Sequence, residues 1–525
     1  MKRLITSNDA AAIGAYESGI SFVSGYPGTP CTEIVTKLQE YKSISCEWST
    51  NEKVALEVAI GTSLAGYRSL VVMKTLGLNV AADAFTQLAG TPINGGIVIV
   101  VADDVGRIVG DDYQDCRNYG IMSGVPIIEP SNSQEAKDFM AMAFDISERY
   151  VTPVIFRLNS ILCKSKTVVN VEEKQFIPAF TKKFDKSYQK TIGNIVRFGF
   201  DNYWSDKLKD YWHDFKSKWE NLRSEADNTS LNRFEQGDTN MGIIATGVSY
   251  YYAKEVFPKA SFLKLGLVYP LPEERIRKFV DMHHKVYIIE DGQPLLEKEI
   301  KSMGVNVEGE SLFPRFPYML YFTPDIIEKN ILKNRNDMEG NRVPLRLPVN
   351  CIGCPHNSVN EILIKHNIYA SSGIGCGGLG ALPHIGAIDI VKCMGSSFGI
   401  AHGFNKANRQ YNKAKRMVAI MGDGEFWHTG INSLLNVIKN SGSLTLIIED
   451  NMTIAMTGGQ PTITSKPESS TIDIETVCKA MGICNIHVID SKNVTLLEQT
   501  ILEEMKKETL SVIISRHPCM LFRYN

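Results

Sequence analysis

Two apolar segments near the carboxyl end of the chain each finish in a short run of polar residues. Arg416 to Met421 has the pattern of a buried strand and is followed by Gly422-Asp423-Gly424. A helical pattern follows, around His428 to Lys439, and then a second strand, Leu444 to Glu449, leads into Asp450-Asn451. This order predicts a βαβ unit, in which parallel strands end at one edge of a sheet. We therefore expect Asp423 and Asn451 to lie in the same crevice.

These residues have the chemistry of a magnesium site that holds a diphosphate. A diphosphate is held through a divalent cation, and Mg²⁺ prefers hard oxygen ligands. We expect the Asp423 carboxylate, the Asn451 side chain and the Thr453 carbonyl to supply them. Gly422 and Gly424 allow the backbone to approach the phosphates closely. The spacing is typical of thiamine diphosphate enzymes, although two ordinary turns after strands would also contain these residue types.

Other residues of the same region are weaker candidates. Glu425, directly after the Gly-Asp-Gly run, is a further candidate cofactor contact. Gly395, Ser396 and Ser397 are small enough to admit a phosphate at a helix N-terminus, but a tight turn explains them nearly as well. His428 suits a catalytic or a helix-capping role equally.

Composition indicates a large globular enzyme. The chain has 525 residues, 44% hydrophobic and 22% charged, with a formal net charge of −2. These values give no electrostatic case for nucleic acid or an anionic membrane as a partner. The amino-terminal residues contain no apolar run of signal-peptide length, and eleven scattered cysteines favour a reducing compartment. We therefore expect a cytoplasmic protein.

The pattern of strands and helices predicts an α/β fold with two parallel-sheet domains flanking a smaller α/β domain. Residues 1–180 alternate apolar strands with helices, as in Ser21–Val23, Val125–Glu129 and the helix Asn51–Ala65. Residues 181–235 are polar and aromatic and predict a helical linker. Residues 236–340 form the smaller unit, and residues 341–525 form the second large block.

Glu52 is the candidate catalytic acid and base. To become nucleophilic, the thiazolium ring of thiamine diphosphate needs a carboxyl group against its pyrimidine ring. Glu52 begins a helix whose next residues, Val54, Ala55 and Leu56, are apolar. A carboxyl group among apolar residues can hold its proton at neutral pH and then act as a base. The alternative is a helix-terminal glutamate that is favoured by the helix dipole.

Taken together, the motifs resemble the large subunit of indolepyruvate:ferredoxin oxidoreductase. The similarity runs in collinear order from residue 1 to about 523 and rests on the segments SGYPGTPCTEI, EWSTNEKVALEVAIGTSLAG, VVMKTLGLNVAAD, VIVVADD, LKLGLVYPLP, CIGCPHNS, GIGCGGLG, CMGSSFGIAHGF, MGDGEFWHTGI and DNMTIAMTGGQP.

The resemblance implies domains and residue roles. Residues 1–180 would bind the pyrimidine, 236–340 would be transketolase-C-like, and 341–525 would bind the diphosphate. Glu52 would activate the cofactor, Thr29 would face the reacting centre, and Gly77 would contact the cofactor.

It also implies an activity and partners. The reaction would be oxidative decarboxylation of an arylpyruvate, such as indolepyruvate or phenylpyruvate, to an acyl-CoA. Electrons would pass through 4Fe-4S clusters to ferredoxin or another acceptor. A small γ- or β-type subunit would complete a homodimer or heterotetramer.

Four cysteines are candidate ligands of one 4Fe-4S cluster. Cys351, Cys354, Cys376 and Cys519 match in order the ligands of related 2-oxoacid oxidoreductases. Thiolates suit Fe–S iron, but Cys-x-x-Cys also suits zinc or a redox dithiol, and isolated cysteines are often buried apolar residues. Cys393, Cys478 and Cys484 occur in apolar surroundings and are predicted to be core.

Several positions depart from the resembled family. Thr75 replaces a histidine, and the stretch Val109–Asp115 (VGDDYQD), which we expect near the substrate, is altered. The family's ferredoxin-like tail does not follow Cys519, so we expect electrons to leave through another protein. These changes keep two alternatives open. One is a non-oxidative decarboxylase or carboligase that yields an aldehyde or acyloin, and the other is a regulatory relative without turnover.

Overall fold

The computed structural model describes residues 1–105, 114–172, 176–183, 205–309, 323–332, 348–411, 415–465 and 472–522. The chain divides into two compact units, Met1–Met338 and Glu339–Asn525. Both units contain parallel β-sheet and helices, which confirms the predicted α/β class. Residues 106–113, which include most of the altered loop VGDDYQD, lie outside the described residues.

A seven-stranded sheet forms the centre of the first unit. It is parallel except for one edge strand, and its strands are, in order, Leu267–Tyr269, Ile127–Ile128, Val154–Asn159, Ile97–Asp103, Ser69–Lys74, Phe22–Gly25 and Ser45–Trp48. Along the strand Ile97–Asp103, Val98 and Val100 enter one hydrophobic cluster, while Ile97, Ile99 and Val101 enter another. Successive side chains of a strand point to opposite faces, so both faces of this sheet are buried.

Two smaller sheets complete the first unit. Lys2–Thr6 pairs with Lys166–Asn170 in antiparallel fashion. A four-stranded sheet has the order Lys285–Ile289, Asp238–Thr246, Ala260–Leu265 and Arg233–Glu235. The helices are Ser7–Glu17, Thr32–Leu38, Glu52–Leu64, Thr75–Val80, Ala82–Ala89, Arg117–Ser123, Ser133–Tyr150, Ser160–Lys164, Ser205–Ala226, Ser249–Val256, Glu273–Asp281, Leu295–Ser302 and Pro324–Leu332.

The second unit contains a six-stranded, fully parallel sheet. Its strands are, in order, Ile390–Val391, Tyr369–Ser372, Met417–Gly422, Leu444–Asp450, Leu510–Arg516 and Asn485–Asp490. The longer helices are His356–His366, Ser396–Gln410, Ile431–Lys439, Ile474–Ala480 and Val494–Glu504. Short helical turns span Gly377–Ala381, Asp423–Glu425, Phe426–Gly430 and Ala455–Thr457. The predicted βαβ unit is therefore present, with its two strands adjacent in the sheet.

Some predicted details were wrong. The strand expected over Val125–Glu129 is only Ile127–Ile128. It starts after Pro126, which has no N–H for the ladder. Cys393 and Cys484 were expected in the core but are exposed, whereas Cys478 is buried. Cys484 directly precedes the strand Asn485–Asp490 at the sheet edge, where no other strand of the described residues pairs on the outer side. Among the described helices, none has the length and apolarity needed to cross a bilayer.

Candidate cofactor site

Asp423 lies directly after the strand Met417–Gly422 and is only 2% exposed. Its Oδ2 accepts hydrogen bonds from the hydroxyls of Thr462 and Thr464, each at 2.9 Å. Burial first, and then the charge of Asp450, raises the pKa of Asp423 to about 7. A carboxylate that is held by two hydroxyls and faces a second carboxylate has oxygen chemistry that suits a divalent cation.

Asn451 and Thr453 follow the neighbouring strand and are buried. The Asn451 Oδ1 accepts a hydrogen bond from the Thr453 N–H at 3.1 Å. Met452 between them has φ 61°, a left-handed conformation that is uncommon for a residue with a side chain. Asn451 and Thr453 follow the strand Leu444–Asp450, which is adjacent to the strand that precedes Asp423. The oxygen donors of these three residues fit Mg²⁺.

Glu425 is buried beside the start of the helix Ser396–Gln410. Its Oε1 accepts a hydrogen bond from the Gly395 N–H at 2.7 Å. Burial raises the pKa of Glu425 to about 8, although backbone hydrogen bonds from Gly395 and Gly422 oppose the rise. A β-carbon on Gly373 would lie 1.4 Å from the same Glu425 oxygen. The Glu425 carboxyl therefore already uses one of the N–H groups that the sequence assigns to a phosphate.

The serines next to Gly395 retain hydrogen-bonding capacity. In the described part of the chain, the buried hydroxyl oxygens of Ser396 and Ser397 make no hydrogen bond. Gly395 has φ 75°, and its carbonyl accepts from the Ser433 hydroxyl at 2.9 Å, which fixes the turn before the helix. Two unsatisfied buried hydroxyls at the start of a fifteen-residue helix fit a phosphate group. The assignment of Gly395, Ser396 and Ser397 to the cofactor stays a prediction.

His428 lies within the short helical turn Phe426–Gly430 rather than at the start of the following helix, Ile431–Lys439. It is 4% exposed, and its Nδ1 is 3.3 Å from the Thr429 hydroxyl. Thr429 in turn donates to the Met394 carbonyl at 2.8 Å. Its position within the turn does not support the helix-start assignment, and a catalytic role stays a prediction.

In the first unit, Glu52 is the first residue of the helix Glu52–Leu64 and is 6% exposed. The Asn51 side chain caps this helix by accepting from the Val54 N–H at 2.9 Å. Thr29 is half-buried in the loop after the strand Phe22–Gly25. Gly77 lies against Glu52, since a β-carbon built on it would be 2.6 Å from the Glu52 Oε1.

Two of the candidate cluster cysteines, Cys354 and Cys376, lie near His356. The carboxylate of Glu449, 3.1 Å from the His356 Nδ1, and then Cys376 raise the pKa of His356 against the opposing effect of burial. Burial raises the thiol pKa of Cys354, against an opposing effect of His356. The Cys354 N–H donates to the Cys351 carbonyl at 3.0 Å.

Cys519 joins the same region through its backbone. Its N–H donates to the Asn451 carbonyl at 3.1 Å, and the Asn451 amide nitrogen is 3.3 Å from the His356 Nε2. These bonds bring Cys519, Asn451 and His356 together within the second unit. Among the described residues, however, no group of three or more His, Cys, Asp or Glu side chains is arranged to hold a metal ion. The assignment of Cys351, Cys354, Cys376 and Cys519 to a 4Fe-4S cluster stays a prediction.

Sequence reasoning missed the residues that hold these groups in place. Thr462 and Thr464, which bind Asp423, follow a Gly-Gly turn in a segment without periodicity. It also missed a buried set of charges in the first unit, namely Asp103, Asp115, Arg117, Glu129, Arg157 and Glu290. Glu129 and Glu290, which directly follow buried strands, were the available signal.

Two protein families match parts of the chain. Residues 13–209 match the family described as "Pyruvate flavodoxin/ferredoxin oxidoreductase, thiamine diP-bdg". Residues 379–515 match the family described as "Thiamine pyrophosphate enzyme, C-terminal TPP binding domain". Together with the parallel sheets and the polar loops after adjacent strands, these matches indicate a thiamine-diphosphate-binding enzyme.

Curated relatives narrow this class. The indolepyruvate oxidoreductase subunit IorA of Methanothermobacter marburgensis is 32% identical over 556 residues, covering 98% of this chain and 87% of the relative. The subunit IorA of Pyrococcus abyssi is 34% identical over 568 residues, covering 99% and 86%. The chain therefore belongs to the IorA family of indolepyruvate oxidoreductase subunits, which confirms the resemblance seen in its motifs.

A solved structure is similar in fold. The 2-oxoglutarate:ferredoxin oxidoreductase from Magnetococcus marinus aligns with a TM-score of 0.51 at 18% identity, covering 63% of this chain and 65% of that chain. At this identity the match supports the α/β fold alone.

Proposed function

We propose that the protein catalyses thiamine-diphosphate- and Mg²⁺-dependent decarboxylation of an arylpyruvate, such as indolepyruvate or phenylpyruvate, with oxidation to the acyl-CoA. The observation that carries the proposal is the loop pair Asp423 and Asn451–Thr453, on adjacent strands of a chain in the IorA family. Asp423, Asn451 and the Thr453 carbonyl would hold Mg²⁺, and Ser396 and Ser397 would contact the diphosphate. Their oxygen donors and unsatisfied hydroxyls support this part.

The bound coenzyme supplies a carbon nucleophile and an electron sink for the loss of carbon dioxide. Glu52 holds and moves a proton at a pyrimidine ring nitrogen, a task that its burial at a capped helix start supports. Thr29 orients the oxoacid, and Gly77 lies beside Glu52.

The proposal extends to electron transfer and assembly. Cys351, Cys354, Cys376 and Cys519 are candidate ligands of one 4Fe-4S cluster, and the backbone bonds that join Cys351 to Cys354 and Cys519 to Asn451 support further tests. The relatives are named as subunits of an oxidoreductase. We therefore propose a small partner subunit, ferredoxin or another acceptor, and a homodimer or heterotetramer. Eleven free thiols support a cytoplasmic location.

Glu52→Gln tests the proposal. We expect carbon dioxide release from indolepyruvate or phenylpyruvate to fall at least about 100-fold, because an acid–base group contributes that much or more. Binding of thiamine diphosphate, measured by calorimetry with Mg²⁺, should change by only a few-fold. Glu57→Gln is the matched control, since Glu57 is on the same helix but exposed and paired with Lys53. A Glu52→Gln protein that keeps most of its turnover would contradict the proposal.

One observation favours a second candidate function. Thr75, where the resembled family has a histidine, donates its hydroxyl to Asp103 and to the Ala102 carbonyl. This position therefore offers no titratable group to a substrate, which suits a different fate of the decarboxylated product. Product analysis without an electron acceptor separates the two functions. An aldehyde or acyloin identifies the non-oxidative route, and turnover that requires CoA and an acceptor identifies the oxidative one.

A further inference from the structure

Gly77 faces the carboxyl group of Glu52. A β-carbon built on Gly77 would lie 2.6 Å from the Glu52 Oε1, 2.7 Å from its Cγ and 2.9 Å from its Cδ. Real β-carbons essentially never approach heavy atoms this closely. Any side chain at position 77 must therefore displace the Glu52 side chain, and all three close atoms belong to that one residue.

The backbone does not explain this glycine. Gly77 lies inside the helix Thr75–Val80 and is not among the residues with positive φ. Within a helix, alanine is favoured over glycine by about 1 kcal/mol. Local conformation thus favours alanine at position 77, and the contact with Glu52 opposes it.

The helix that carries Gly77 is anchored at its first residue. Thr75 is fully buried and donates to the Asp103 carboxylate and, at 3.3 Å, to the Ala102 carbonyl. Asp103 in turn accepts from the Arg157 Nε at 2.6 Å and from the Cys116 N–H at 3.2 Å. The helix start is therefore fixed to the neighbouring strand, Ile97–Asp103.

Lys74, the residue before this helix, lies close to the loop that contains Thr29, another candidate catalytic residue. A β-carbon on Gly28 would lie 3.2 Å from the Lys74 Cγ, and Gly28 directly precedes Thr29. One short segment, Lys74 to Gly77, thus packs against the loop of Thr29 and against the side chain of Glu52.

We propose that the segment Lys74–Gly77 is a positioning element for the reaction, in which the missing side chain of Gly77 sets the place of the Glu52 carboxyl. Gly77 is thus a positioning residue that acts through Glu52. This inference rests on the proposed role of Glu52, and the contact itself can be tested without that role.

The first test is kinetic and compares two glycine-to-alanine variants. Gly77→Ala should lower kcat for carbon dioxide release at least about tenfold, because small displacements of a reacting group have effects of this order or larger. KM for the oxoacid should stay within about twofold. Gly61→Ala is the matched control, because Gly61 is on the Glu52 helix and a β-carbon there meets nothing within 4 Å. Equal kcat values for the two variants would overturn the positioning role.

The second test measures thermal midpoints and needs no activity. Gly77→Ala should lower the midpoint of the wild-type protein but raise it when Glu52 is replaced by alanine, because the obstructing atoms are then gone. If Gly77→Ala alone does not fold, the double variant should fold. A midpoint change of the same sign in both backgrounds would overturn the contact. If the sign reverses while Glu52→Gln keeps its turnover, the proposed function fails and the contact stands.

Discussion

At the scale of single residues, Asp423 carries a pH-dependent contribution to stability. Burial and Asp450 raise its pKa to about 7. A carboxyl whose pKa rises on folding stabilises the protein below its unfolded-state pKa, about 4, and loses this contribution as the pH rises through the folded-state value. Without metal, we therefore expect wild-type stability to fall from about pH 4 to pH 7, partly through Asp423, and Asp423→Asn to reduce this loss.

Thermal unfolding in a chelator, at intervals between pH 5 and pH 8, measures the effect. Asp238→Asn is the control, because the Asn240 N–H lowers the pKa of this exposed carboxyl and its contribution is then constant above about pH 4. Parallel pH profiles of the wild-type protein and Asp423→Asn would contradict the prediction. Glu425, whose pKa is also raised by burial, should maintain part of the slope in both.

The same residues show which features of the candidate site can be predicted from the sequence. The placement of Asp423 and Asn451 at one edge of the sheet was predictable. Each follows a buried strand, and adjacent parallel strands bring the residues at their carboxyl ends close together. Thr462 and Thr464 were not predictable, because hydroxyl residues in an irregular segment carry no signal of the side chain they bind. Glu425 was assigned to the cofactor, and its bond to the Gly395 N–H could not be predicted, because the two residues are 30 positions apart.

At the scale of elements, two buried arginines join separate elements of the first unit. Arg157, on the strand Val154–Asn159, pairs with Asp103 on the adjacent strand and with Glu129. Arg117, the first residue of the helix Arg117–Ser123, pairs with Glu290 beyond the strand Lys285–Ile289. We expect Arg157→Met to destabilise the protein by about 3–5 kcal/mol, since removing one partner leaves buried carboxylates uncompensated. Chemical denaturation measures this value. Arg149→Met, at an exposed pair with Asp145, should cost at most about 1 kcal/mol, and similar losses in both variants would contradict the argument.

The strands were predictable from their apolar runs, but their connections were not. Arg117 and Glu290 are 173 positions apart, and neither residue type predicts a partner at that distance. Asp115 illustrates the consequence. It belongs to VGDDYQD, the stretch expected near the substrate, and the structure shows it fully buried and paired with Arg117. The strand Leu267–Tyr269 likewise pairs with Ile127–Ile128 in the seven-stranded sheet, although its sequence position suggested only the smaller domain.

At the scale of the whole molecule, the eleven cysteines differ in exposure in a way that tests the candidate cluster. Cys351, Cys393 and Cys484 are exposed, whereas burial raises the pKa of Cys31 and Cys478 to about 12. In iron-free native protein we expect the three exposed thiols to react fastest with an alkylating agent, because thiolate and access control reactivity. Anaerobically purified protein that contains iron should protect Cys351 but not Cys393 or Cys484, which serve as internal controls. Mass spectrometry of the labelled peptides gives the rates. Equal labelling of the three thiols in iron-containing protein would show that Cys351 is not a cluster ligand. The cluster proposed for the oxidative route would then lack one of its four candidate ligands.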